Sequence, residues 1–141
     1  MTLVDANVLL NAVNRSAPDH AVAKRWLDAA LSGATPVGFA WVVLLAVLRL
    51  ATRPGLFPRP LTADEATKLV RGWLSAPSSV VLHPGSRHVD LLASMLTDAG
   101  TSGNLTTDAH LAALAREHNA TVISFDADFA RFAGLHWARP E

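Results

Sequence analysis

Short apolar runs alternating with helical segments constrain this chain more than any other feature. Thr2-Leu3-Val4, Pro36 to Phe39, Val80-Val81-Leu82 and Thr121 to Phe125 are runs of three to five residues that read as strands. Ala6 to Asn14 reads as a short helix. Pro18-Asp19-His20 opens a second, whose apolar positions Ala23, Trp26, Leu27 and Ala30 recur at helical intervals before Ser32-Gly33 ends it. Trp41 to Leu50 is apolar nearly all round, as expected of a buried or interface helix. Arg53 to Pro60 contains three prolines and a glycine and is read as a loop. Thr62 to Glu65 has the form of a capping box, opening a helix that reaches about Leu74. Ser86 opens another that runs to Asp98, Gly100 to Asn104 is a polar loop, and Thr106 or Thr107 caps a helix ending near Asn119. The tail to Glu141 holds a short helical piece and an edge strand around His136-Trp137. Such alternation predicts an α/β fold with a mostly parallel central sheet covered on both faces. Ligands of such sheets sit beyond the carboxyl ends of the strands.

No repeat, low-complexity tract or linker divides the 141 residues, so residues 1–141 are read as a single domain. Half of them are hydrophobic, ample surface for a core, which excludes intrinsic disorder. The longest apolar run, Val37 to Leu48, has 12 residues and is too short to span a bilayer. Met1-Thr2-Leu3-Val4-Asp5 lacks the positive start of a signal peptide, so a cytoplasmic location is expected. The absence of cysteine excludes disulfides and thiolate metal sites. Twelve basic and twelve acidic residues balance, which excludes a highly basic RNA-coating protein but not a local basic face. High hydrophobicity with zero net charge points to a covered surface, in a dimer or with a partner.

Two strands share one syntax. Leu3-Val4 runs straight into Asp5, and Val122-Ile123-Ser124-Phe125 runs straight into Asp126. If these strands are parallel neighbours, both carboxylates enter one crevice, and Asp128 lies two residues on. Asp108 precedes the apolar positions Leu111, Ala112 and Ala115 by three, four and seven residues, so it heads their stripe in the first turn of a helix. Helix-dipole stabilisation alone, about 0.3–1 kcal/mol, accounts for an acid in a first turn but requires no particular face. Converging carboxylates repel unless a cation joins them, and oxygen ligands without cysteine suit Mg²⁺ or Mn²⁺. These ions assist phosphoryl chemistry. On spacing alone, unrelated surface acids remain an open alternative.

The segments Leu3 to Leu9, Thr107 to Ala115 and Ser124 to Phe129, in this order and at these distances, resemble a PIN domain, and particularly the VapC toxins of bacterial toxin–antitoxin pairs. The resemblance covers essentially the whole chain. It implies an α/β/α sandwich and a Mg²⁺- or Mn²⁺-dependent endoribonuclease that activates water to cut an RNA phosphodiester. It also implies inhibition by a VapB-type antitoxin and a homodimer. Carried over by position, Asp5, Asp108 and Asp126 match the family's acids and Asp128 a frequent accessory acid. Asn7 matches a polar position that orients the first acid or touches the phosphate.

One departure stands out. The family usually places a glutamate three residues before an Arg-type position in the helix after the second strand, and here Ala46 stands three before Arg49. No acid occurs between Asp28 and Asp64 to replace it. The subgroup works with fewer acids, or the change inactivates the chain, or the chain binds RNA or antitoxin without cutting. The sequence leaves these three open. Arg49 itself reads equally as a phosphate contact, a counter-ion for the acids, or a helix-end arginine with its head in water.

The six histidines show no metal-binding spacing and are read as solvated or capping residues, with His110 facing away from Asp108. The tryptophans are read as core or interface anchors rather than base-stacking platforms. Arg15, Arg53, Arg59, Arg87 and Lys24 are the candidates for an RNA path. No phosphate-loop or dinucleotide motif occurs, and no nucleophile elbow. A phosphatase with Asp5 as nucleophile ranks lower, because Asp5-Ala6-Asn7 lacks the second acid such enzymes usually carry.

Overall fold

A computed structural model describes residues 1–100 and 105–141. The strands are β1 (Thr2–Val4), β2 (Val37–Phe39), β3 (Ser79–Val81), β4 (Thr121–Ile123) and β5 (Trp137–Ala138). The helices are α1 (Ala6–Val13), α2 (His20–Ser32), α3 (Trp41–Thr52), α4 (Ala63–Ser75), α5 (His88–Ala99) and α6 (Thr106–Glu117), and a 3₁₀ turn spans Ala127–Arg131. The five strands form one sheet in the order β3-β2-β1-β4-β5, every neighbouring pair parallel. Leu3 and Val4, Val37 through Phe39, and Val122 and Ile123 are all buried. Consecutive residues of a strand point to opposite faces, so both faces of the three central strands are covered, as the uniformly apolar runs predict.

The strand order fixes where a ligand can sit. From β1 the chain moves to β2 and then β3 on one side, then returns past β1 to lay β4 and β5 on the other. The boundary between β1 and β4 is therefore the switch point of the sheet, where diverging connections leave a crevice beyond the carboxyl ends.

Local chemistry explains most boundaries. The Thr62 hydroxyl accepts the Glu65 N–H at 3.1 Å while the Glu65 carboxylate accepts the Thr62 N–H at 3.0 Å, the expected capping box. Gly100 ends α5 at φ +66°, a left-handed conformation that glycine adopts without a Cβ clash. The remainder of the polar loop expected there, residues 101–104, lies outside the described residues. Two expectations need correction. The cap of α6 falls on Leu105, not on Thr106 or Thr107, which lie inside the first turn. Leu105 is 6% exposed, and burying a leucine gives about 1.5–3 kcal/mol against about 1 kcal/mol for a hydroxyl cap. Helix α5 begins at His88 rather than Ser86, because His88 is tied inward to Glu117.

Gly38 lies where β2 passes under Leu82. A Cβ there would stand 2.6 Å from Leu82 Cδ1 and 3.0 Å from the Thr2 carbonyl oxygen. Gly38→Ala is expected to lower unfolding free energy by about 1–3 kcal/mol, read from urea denaturation. Among the described residues no helix is long and apolar enough to cross a membrane.

Candidate active site

The β1–β4 register pairs Val4 with Ile123, so Asp5 and Ser124 leave the sheet side by side. Ser124 is fully buried, and its hydroxyl donates to Asp5 Oδ2 at 2.7 Å. The same oxygen of Ser124 accepts Asn7 Nδ2–H at 3.0 Å and the Asp126 N–H at 2.9 Å, which fills its hydrogen-bonding capacity. Asn7 also donates to Asp5 Oδ2 at 3.2 Å and accepts the Phe125 N–H at 3.2 Å. Asn7 thereby ties together Asp5, Ser124 and the backbone of Phe125.

Both strand-ending aspartates also start the next element. Asp5 Oδ1 accepts the Ala6 N–H at 2.7 Å at the head of α1, and Asp126 Oδ1 accepts the Asp128 N–H at 2.9 Å at the head of the 3₁₀ turn. One oxygen of each side chain fixes the backbone turn that aims the other. The Asp126 turn brings Asp128 round to the same space. Helix α6 delivers Asp108 from above its buried stripe of Leu111, Ala112 and Ala115.

Carboxylate oxygens of Asp108, Asp126 and Asp128 lie within 4.8 Å of one another. Asp5 stands outside that closest group, its oxygens occupied by Ala6, Asn7 and Ser124. Burial, and then the like charges of Asp5, Asp126 and Asp128, push the Asp108 carboxyl up to about 6. Asp5 is raised too, by burial, against the lowering effect of its hydrogen bonds from Ser124 and Ala6. An all-oxygen donor set whose members destabilise one another's charge is the kind of site a hard divalent cation fits.

Arg49 is exposed and pairs with no carboxylate among the described residues, and Ala46 is half-buried. Two features escape a reading of the sequence. Ser124 organises Asp5, Asn7 and Asp126, and its one visible signal is a hydroxyl set between the apolar Ile123 and Phe125 just before Asp126. The histidines His88 and His110 are not solvated as expected. His88 Nδ1 lies 2.6 Å from Glu117 Oε1 and its Nε2 lies 2.8 Å from His110 Nδ1, tying α5 to α6. These partners are 29 and 22 residues apart, so no local pattern announces them. Ser124→Ala is expected to leave the fold intact and reduce metal-dependent activity about 10–100-fold, the usual cost of losing a group that orients a ligand; kcat/KM beside circular dichroism checks it.

A crevice at the switch point of a parallel sheet, walled by carboxylates from two strand ends and a helix head, defines a class of acidic metal-site fold. The PIN domain model matches residues 2–135. Ribonuclease VapC37 of Mycobacterium tuberculosis (strain ATCC 25618 / H37Rv) is 59% identical over 140 residues, covering 99% of this chain and 97% of the relative. Ribonuclease VapC33 of the same organism is 40% identical, covering 99% and 98%. Among solved structures, the VapC20 toxin of Mycobacterium tuberculosis, described as Sarcin-Ricin loop cleaving, superposes with a TM-score of 0.74 at 23% identity, covering 99% of this chain and all of that one. VapBC2 from Rickettsia felis, bound to a DNA fragment from its promoter, gives 0.72 at 14% identity, covering 99% and 98%. The chain belongs to the PIN-domain family and, within it, to the VapC group.

Proposed function

We propose that this chain is the toxin of a type II toxin–antitoxin pair, a Mg²⁺- or Mn²⁺-dependent endoribonuclease, acting as a single domain in the cytoplasm. The observation that carries the reading is the convergence of Asp108, Asp126 and Asp128 at the sheet's switch point, next to an Asp5 locked in place by Ser124 and Asn7. Its relatives named as ribonucleases support the substrate class. Asp5, Asp108, Asp126 and Asp128 would hold the ion. When bound, such an ion lowers the pKa of water and neutralises charge developing on a phosphate.

The chain's own residues supply the geometry. Ser124 fixes two carboxylate-bearing segments at once, through the side chain of Asp5 and the backbone of Asp126. Asn7 holds Asp5 against rotation. Asp108 brings its carboxylate to the same group of oxygens from a helix head rather than a strand end. Arg49, exposed on α3, is the candidate phosphate contact. An antitoxin of VapB type would cover apolar surface, and α3 offers Trp41 at 46% and Leu45 at 57% exposure. A homodimer would cover such surface as well.

The test is cleavage of total cellular RNA by the purified chain with Mn²⁺ or Mg²⁺ and with chelator, with Asp5→Asn as the blank. Fragments that appear only with metal and vanish in the blank are expected; fragments that persist in the blank would overturn the reading. A second reading, a binding module that does not cut, rests on Ala46. Ala46→Glu restores the missing acid and is expected to raise cleavage about tenfold, since affinity for the ion follows ligand charge. If neither form cuts RNA that both bind, the binding module is the better account.

A further inference from the structure

Beside the carboxylates a second cavity opens. It is a cleft of about 540 Å³ between α1 and the 53–60 loop, in the size range of small-molecule sites, roughly 300–1,000 Å³. Asn7, whose amide holds Asp5, also lines this cleft, so it begins one residue away from the acidic crevice. One wall is apolar, made by Leu56, Phe57 and Pro58, and Leu56 is 44% exposed. The other wall carries Asn11. Its Nδ2 donates to the Asn7 carbonyl at 2.7 Å, which fixes the amide, and its Oδ1 has no partner among the described residues.

The apolar wall is stiff. Pro54, Pro58 and Pro60 restrict the loop, Gly55 turns it at φ +119°, and Asn14 Nδ2 donates to the Leu56 carbonyl at 3.2 Å. A preformed wall loses little freedom on binding. Arg53 and Arg59 of the same loop, and Arg15 just past α1, are exposed.

A stiff apolar wall that includes the Phe57 ring, a fixed amide with an acceptor to spare and exposed arginines on the same loop are elements that recognise an unstacked base and its phosphates. Resting on the ribonuclease reading above, we infer that this cleft is a nucleobase subsite for single-stranded RNA flanking the cut phosphate. The base lies on Leu56, Phe57 and Pro58, and an N–H on its edge donates to Asn11 Oδ1. Continuity with the carboxylates through Asn7 favours RNA over a segment of antitoxin, which needs no such register.

The experiment titrates fluorescein-labelled single-stranded oligoribonucleotides into wild type, Leu56→Asp, Asn11→Leu and Val89→Asp in chelator, then maps cut sites with Mn²⁺. Leu56→Asp is expected to weaken binding tenfold or more, and Asn11→Leu to change which base flanks the cut. Val89→Asp, 70% exposed on α5 and outside the cleft lining, is expected to bind within twofold of wild type. Unchanged affinity and cut sites in both cleft variants, while wild type cuts RNA, would overturn the subsite and leave the ribonuclease reading standing. So would RNA affinity that survives Leu56→Asp when a co-purifying protein partner is lost. If wild type cuts nothing, the ribonuclease reading falls, and the oligoribonucleotide titration still decides the cleft. Circular dichroism confirms folding, and Leu56, on an exposed loop, tolerates the change.

Discussion

Asp108→Asn is expected to abolish metal-dependent RNA cleavage and, in the same protein, to raise the melting temperature of the metal-free form at pH 7.5 by about 3–6 °C. The two effects have one cause. Burial and the charges of Asp5, Asp126 and Asp128 push the Asp108 carboxyl from 3.8 up to about 6. The folded state therefore holds that proton more tightly than the unfolded chain. The stability it contributes is complete below pH 3.8 and is lost as pH rises through about 6. At pH 7.5 the folded protein carries an ionised carboxylate that the asparagine removes. His110 works in the opposite direction. Burial, and then the His88 charge, lower it from 6.5, so its contribution is present above that value and fades as pH falls through its lowered one. Comparing variant with wild type at each pH cancels that background. A variant that melts below wild type at pH 7.5 would mean that Asp108 is a structural partner rather than a strained ligand. Its loss of cleavage should be at least 100-fold, since groups that merely orient ligands cost about 10–100-fold.

The second large effect is stabilisation by the ion itself. At a concentration about 100-fold above its dissociation constant, a ligand bound only by the folded state adds about 2.7 kcal/mol. Mn²⁺ or Mg²⁺ is expected to raise the melting temperature of wild type well above pH 6 and hardly at all at pH 4.5. There Asp108 is largely protonated, and burial raises Asp5 in the same direction. Asp126→Asn should remove most of the shift, because its carboxylate lies in the closest cluster. A calorimetric shift of equal size at both pH values, or one that survives Asp126→Asn, would place the ion elsewhere.

The sequence by itself determined a good deal. Apolar runs too short and too uniform for half-exposed strands required a sheet covered on both faces, and the helical spacing between them required parallel crossovers. The aspartates at the ends of β1 and β4, and Asp108 at the head of a stripe, were legible because strand ends and first helical turns are local features. Where the cap of α6 falls was not, because a buried Leu105 outweighs the hydroxyls beside it. The sheet order was not legible either, yet it alone makes β1 and β4 neighbours and opens a crevice between their ends. Only the β1–β4 register sets Ser124 against Asp5, 119 residues away. The Glu117–His88–His110 tie and the cleft between α1 and the 53–60 loop are of the same kind. Each joins groups far apart in the chain, and such contacts follow from how the layers pack, which periodicity and spacing do not encode.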